Sequence, residues 1–253
     1  MKEVLINQLP DLPFDVEESL NQLRINISFC GDGIKVIMIT SSVPNEGKSF
    51  VAQNLWRMFA GLGMKTLLID ADLRNSEMRT KLDMHLKDGS KMQGVAYYLS
   101  GQCEMNDCLY QTNIENAFII PTTTNVVNPI IMLEGERFGQ MIEVSRKVFD
   151  YIIVDTPPLQ SVADALTISR SCDGTVLTVR GGETPRKLVA NSVQLLKRTE
   201  IPLLGVALNR VNKGSGGGKY YGRYYSKGYY YSSYGKDKND SKKERQEKER
   251  KLK

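Results

Sequence analysis

The stretch Val36–Phe50, VIMITSSVPNEGKSF, constrains this chain more than any other. A short apolar run enters a loop of small and turn-forming residues that ends in Gly47-Lys48-Ser49. That order reads as strand, phosphate-binding loop, then helix. Successive backbone N–H groups and a helix N-terminus together make an anion cradle. Ser42, Val43, Pro44, Asn45, Glu46, Gly47, Lys48, Ser49 and Phe50 are therefore the candidate nucleotide contacts. In such a loop the lysine reaches the β- and γ-phosphates and the serine hydroxyl is a magnesium ligand. The match to G-x-x-x-x-G-K-[ST] is one residue short, because Ser42 stands where the first glycine belongs.

Two further segments have the same design. KTLLIDAD (65–72) and DYIIVDTPP (150–158) are apolar runs that end in acids. Continuous apolar strands need cover on both faces, as in parallel α/β sheets. Their carboxyl ends are where open α/β sheets bind ligands. Asp155 takes the position of a magnesium-holding Walker-B carboxylate. Asp70 and Asp72 are separated by one residue and share a face if Ala71 continues the strand. One then accepts a proton from a hydroxyl nucleophile while the other supports the metal. Arg74 is placed to contact a phosphate or to pair with one of these acids. ATP and Mg²⁺ are the implied cofactors.

Helical patterns fill the intervals. One covers 16–29, with Leu20, Leu23 and Ile27 on a common face. Others cover roughly 48–62, 93–101, 130–149, 161–170 and 185–199. Strands are expected at 117–121, 174–179 and 203–208. Residues 1–15 read as irregular, and 75–117 is the least legible region. Alternation of strands and helices predicts an α/β fold of the P-loop NTPase kind. Its mostly parallel central sheet has helices on both faces.

Composition adds three bounds. The N-terminus has acids and prolines but no long apolar core, so it does not read as a secretory signal. No apolar run approaches the ~20 residues that span a bilayer, so a cytoplasmic protein is expected. Four cysteines without a C-x-x-C pair, and a single histidine, argue against zinc. Finally, the formal net charge of +5 is unevenly placed. Residues 213–253 hold 13 Lys+Arg against 5 Asp+Glu, a charge of +8, which leaves −3 on residues 1–212. The boundary falls at a GSGGG linker. Beyond it are Tyr220, Tyr221, Tyr224, Tyr225, Tyr229, Tyr230, Tyr231 and Tyr234, eight of the chain's 12 tyrosines. A segment with almost no aliphatic residue cannot build a core. The reading is a catalytic domain over 1–212 and a flexible basic tail over 213–253.

SSVPNEGKS, LLIDADLR, and IIVDTPP with Asp164 nine residues beyond its aspartate resemble the bacterial tyrosine kinases, a P-loop family unrelated in fold to eukaryotic protein kinases. With the terminal tyrosine cluster, the resemblance is to the stand-alone kinases of capsule operons, of the CpsD/CapB type. The resemblance implies that Lys48 and Ser49 bind ATP-magnesium and that Asp70 is the base for a tyrosine hydroxyl. It implies that Asp72 and Asp155 support the metal and that Asn209 lies near the adenine. The eight tail tyrosines would be phosphorylated by a neighbouring subunit in a transient, ring-like homo-oligomer. Implied partners are a membrane-anchored regulator of polysaccharide chain length, acting as activator and recruiting the kinase to the inner membrane face, and a cognate phosphotyrosine phosphatase. Nucleic acid is not expected. Capsule or exopolysaccharide synthesis would be the process controlled.

The sequence departs from that pattern in places. The family's E-x-x-R-x-x-R oligomer contact is matched by Glu18 and Arg24, but Asn21 replaces the first arginine. The residue two after Arg74, often proline, is Ser76. Two other readings stand beside the kinase. A ParA/MinD-like positioning ATPase would carry an early second lysine where this chain has Val43. A scaffold with an inactive P-loop would use its aromatic-basic tail to stack on single-stranded nucleic acid.

Overall fold

The computed structural model describes residues 1–211, and the eight tail tyrosines lie outside the described residues. In chain order the elements are β1 (Glu3–Ile6), α1 (Phe14–Ser28), β2 (Val36–Ser41), α2 (Lys48–Gly61), β3 (Thr66–Asp70), α3 (Met78–Lys81) and β4 (Met84–Leu86). Then follow α4 (Val95–Leu99), α5 (Met105–Cys108), β5 (Tyr110–Thr112), β6 (Ala117–Ile120), α6 (Ile130–Glu134) and α7 (Glu136–Arg146). The described residues end with β7 (Tyr151–Asp155), α8 (Asp164–Ser169), β8 (Gly174–Arg180), α9 (Arg186–Leu196) and β9 (Leu203–Asn209).

The nine strands form one sheet in the order β4-β1-β5-β6-β3-β7-β2-β8-β9. The run from β6 to β9 is parallel throughout; the antiparallel pairs are β1 with β4 and β5 with β6. The apolar runs are buried on both faces, and their side chains divide with period two. Val36, Met38, Leu67, Ile69, Ile152 and Val154 join one cluster with Phe138 and Met141 of α7. Ile37, Ile39, Leu68 and Ile153 join the other, against Leu55, Trp56 and Phe59 of α2 and Ile27 of α1. A single methylene lost from such a layer is felt, because interiors are close-packed. The indole N–H of Trp56 donates to both Thr66 O and Phe118 O at 3.0 Å, which ties α2 to the sheet.

Two expectations change. The N-terminal segment is not wholly irregular: Glu3–Ile6 is a strand, with Val4 and Ile6 buried. Its partners, β4 and β5, lie some 80–110 residues away, inside the region least legible in the sequence. A four-residue alternation carries too little periodicity to announce itself. The helix read over 130–149 is two helices, separated at Gly135, whose backbone is extended (φ −69, ψ 157).

Candidate active site

The site is built at the carboxyl ends of β2, β3 and β7, which are adjacent in the sheet. The loop after β2 has positive φ at Asn45 (66°) and Gly47 (95°). Ser42 is not among the positive-φ residues, so the missing glycine of the motif imposes no backbone strain. At Gly47 the glycine is needed twice over. Its φ is left-handed, and a Cβ there would lie 2.0 Å from Asn209 Nδ2.

Glu46 holds the loop in shape. Its buried carboxylate accepts from Val43 N at 2.9 Å, from Arg180 N at 3.1 Å and from the Thr184 hydroxyl. Asn209 Nδ2 donates to Glu46 O at 2.9 Å, so the end of β9 also clips onto the loop. Asn209 thus lies against the backbone of the phosphate loop. Phe50 packs on the α2-side core.

Lys48 is the centre of the charge arrangement. Its ammonium is 2.8 Å from Asp72 Oδ2 and 3.6 Å from Asp155 Oδ1. Burial alone would lower its pKa, but the charges of Asp155 and Asp72 overcome that and raise it. Ser49 Oγ accepts from Lys48 Nζ at 3.3 Å.

Asp70 and Asp155 are register partners at the ends of β3 and β7. Burial first, and the Asp155 charge second, push Asp70 up to about 7; the bond from Ser76 opposes them. Asp155 is also raised, chiefly by burial. Asp70 Oδ2 accepts from the Ser76 hydroxyl and from Thr122 N at 3.3 Å, and Thr122 Oγ1 donates to Asp70 O at 2.7 Å. Asp70 Oδ1 and Asp155 Oδ1 are buried without a hydrogen-bond partner.

These orphaned oxygens bear on the expected metal. A buried carboxylate oxygen that accepts no hydrogen bond is costly. Beside a serine hydroxyl and a second carboxylate it makes the all-oxygen donor set that magnesium favours. The residues present therefore fit that ion.

Lys48, Ser49, Asp70, Asp72 and Asp155 come together as the sequence places them. Arg74 does not pair with Asp70 or Asp72. Its Nε and Nη2 make a bidentate bridge to buried Asp164 at 2.6 and 3.0 Å, and Nη1 donates to Val127 O at 2.9 Å. The guanidinium is committed to joining the loop after β3 to the start of α8. Glu18 is exposed and Arg24 half-buried on α1, a helix that packs against α2. Sequence reasoning missed Thr122 altogether and read Ser76 only as a departure. The available signal for Thr122 was positional: it follows β6, the strand beside β3, so it falls at the same sheet edge.

Comparison with known proteins follows the same lines. A family profile described as an AAA domain matches residues 34–180. The tyrosine-protein kinase CpsD of Streptococcus pneumoniae is 42% identical over 196 residues, covering 78% of this chain and 85% of that protein. Among solved structures, the kinase domain of the Escherichia coli tyrosine kinase ETK superposes with a TM-score of 0.70 at 28% identity, over 81% of this chain and 84% of that one. The septum site-determining protein MinD of Pyrococcus horikoshii, at 22% identity and a TM-score of 0.61 over 72% of each chain, shares the fold.

Proposed function

This chain belongs to the bacterial tyrosine-protein kinases, and from that premise we propose that it moves the γ-phosphoryl group of ATP onto the tyrosines of its own C-terminal cluster, between subunits. The observation that carries the reading is the convergence of Asp70, Asp72 and Asp155 on Lys48 at the phosphate loop, with one oxygen of Asp70 left unengaged.

Each residue has a task. Backbone N–H groups of the loop and the start of α2 receive the phosphates. Lys48 offers its cation to the β- and γ-phosphate oxygens. Ser49, Asp72 and Asp155 would hold magnesium, which when bound offsets charge on the transferring group. Asp70 takes the proton of the attacking hydroxyl. The tyrosine oxygen bonds to the γ-phosphorus, the bond to the β–γ bridging oxygen breaks, and ADP leaves with that electron pair. A base poised near neutrality suits the task, since proton acceptors work best with a pKa near the operating pH.

The acceptors in this reading are Tyr220, Tyr221, Tyr224, Tyr225, Tyr229, Tyr230, Tyr231 and Tyr234. Each phosphate adds about −1.5 to −2. A tail of +8 then reaches neutrality at roughly four or five phosphates. The unmodified tail docks on a neighbour's acidic site and phosphorylation expels it. Glu18 and Arg24 contribute to the subunit contact. Asn209 borders the adenine. No helix among the described residues is long and apolar enough to cross a membrane. The proposed setting is the cytoplasmic membrane face, reached through a membrane-anchored activator in capsule or exopolysaccharide synthesis, with a phosphotyrosine phosphatase resetting the tail.

The test is transfer from γ-labelled ATP followed by phosphoamino-acid analysis. Wild type, Lys48→Met and a chain truncated at Gly214 are compared, with and without an activator peptide. Label on tyrosine, lost in both variants, is the expected result. Hydrolysis without tyrosine label, even with activator, would favour the positioning-ATPase reading instead.

A further inference from the structure

The two carboxylate oxygens of Asp70 are treated differently by the protein. Oδ2 accepts from the Ser76 hydroxyl and from Thr122 N, whereas Oδ1 is buried and accepts from nothing among the described residues. Ser76 is itself oriented. Its oxygen accepts from Met78 N at 3.1 Å, at the first residue of α3, so its own proton is directed to the carboxylate. The result is a short chain of donors, Met78 N–H to Ser76 O–H to Asp70 Oδ2, in which each bond polarises the next.

The segment that carries Ser76 is fixed from both sides. Arg74 is held by Asp164 and Val127 O, and Asn75 N donates to Asp72 Oδ1 at 3.2 Å. A hydroxyl on so constrained a turn can hold a carboxylate rotamer, where one on a loose loop would not.

We propose that Ser76 is a positioning residue for phosphoryl transfer: by occupying Oδ2 it fixes the Asp70 carboxylate with Oδ1 as the oxygen that accepts the tyrosine proton. In this role Ser76 acts through Asp70, the carboxylate to which its hydroxyl donates. The inference rests on the reading of Asp70 as the base. It adds which oxygen works and what holds it.

The experiment uses the full chain with γ-labelled ATP and a synthetic acceptor peptide copying residues 219–235, in four forms: wild type, Asp70→Asn, Ser76→Ala and Ser76→Thr. Ser76→Ala is expected to lower kcat about tenfold, the usual effect of losing a hydrogen bond to a charged group. The KM for ATP and the dissociation constant for ADP should stay as in wild type. Ser76→Thr keeps the hydroxyl and should restore most of kcat. Asp70→Asn should be inactive.

If Asp70→Asn is inactive while Ser76→Ala turns over at the wild-type rate, the positioning role is wrong and the base assignment survives. If Asp70→Asn transfers at the wild-type rate, the base assignment itself is wrong. If Ser76→Ala weakens ADP binding and Ser76→Thr rescues nothing, Ser76 merely supports the loop and the inference is overturned. ADP binding is read by calorimetry, so it remains measurable in any variant that folds.

Discussion

Asp70 and Asp155 stand side by side at the ends of adjacent parallel strands, paired in register, and both are buried. Two carboxylates so placed cannot both shed their protons easily. Burial and then the Asp155 charge hold Asp70 at about 7. In the absence of nucleotide and metal, carbon-detected NMR of labelled aspartate should show one carboxyl titrating near neutrality. Asp70→Asn should remove that signal, and Asp155→Asn should move it toward the ordinary carboxylate range. Because the folded value lies above the unfolded one, the contribution to stability is present below about pH 4. It is lost as pH rises through about 7. A titration of Asp70 near 4 would refute the arrangement.

Arg74 and Asp164 form a bidentate pair in which the acid is almost wholly buried. Removing the arginine leaves that carboxylate without its counter-charge. Arg74→Ala should cost about 3 kcal/mol, the usual penalty for breaking a buried pair. Arg74→Lys should recover only part of it, since an ammonium cannot reproduce the fork. Denaturant unfolding of both single variants and the double variant with Asp164→Asn would measure the coupling. Additive effects would contradict the pairing.

Glu46 takes three donors, one from its own loop and two from the end of β8 and the turn that follows it. Glu46→Ala orphans them and frees the loop. A loss of about 2 kcal/mol in stability is expected, with ADP affinity reduced as well, both read by thermal shift and calorimetry. A variant that kept wild-type ADP affinity would show that the clamp does not shape the loop.

Away from the site, Asp173 receives Val36 N at 2.7 Å, Lys35 N at 2.9 Å and both terminal nitrogens of Arg146 at 2.7 Å. Burial pulls its pKa up, but Arg146 and the two backbone donors outweigh burial and hold it below the usual value. The stability it adds is present above the unfolded carboxylate value, near 4, and is lost as pH falls through the lower folded value. Asp173→Asn should lose about 2 kcal/mol at neutral pH and flatten the acid limb of the stability profile. Acid unfolding followed by circular dichroism tests both.

The parallel heart of the fold was legible because its strands are continuous apolar runs that end in functional groups. VIMIT, TLLID and YIIVD carry period, length and chemistry together. The edge at β4, β1 and β5 was not, because these strands have three or four residues each and are paired at long range. In the site, residues on the strand ends were readable. Partners supplied across the sheet edge, such as Thr122 to Asp70 and Asp164 to Arg74, depend on which strands lie adjacent. That information is absent from local spacing. Arg74 shows the same: the acids near it in sequence, Asp70 and Asp72, are not the one it pairs with, which is Asp164.

The chain's one tryptophan is Trp56, fully buried, on the helix that begins at Lys48. Its indole bridges that helix to two strands of the sheet through Thr66 and Phe118. The protein is thus supplied with an intrinsic optical probe at the seam between the helix that follows the phosphate loop and the sheet. Selective excitation of that ring, against a background of twelve tyrosines, reads the seating of the helix without any label. A red shift in its emission on adding ADP would mean water entering the seam as the loop engages. An unchanged spectrum would mean that the loop closes over a helix that stays where folding put it.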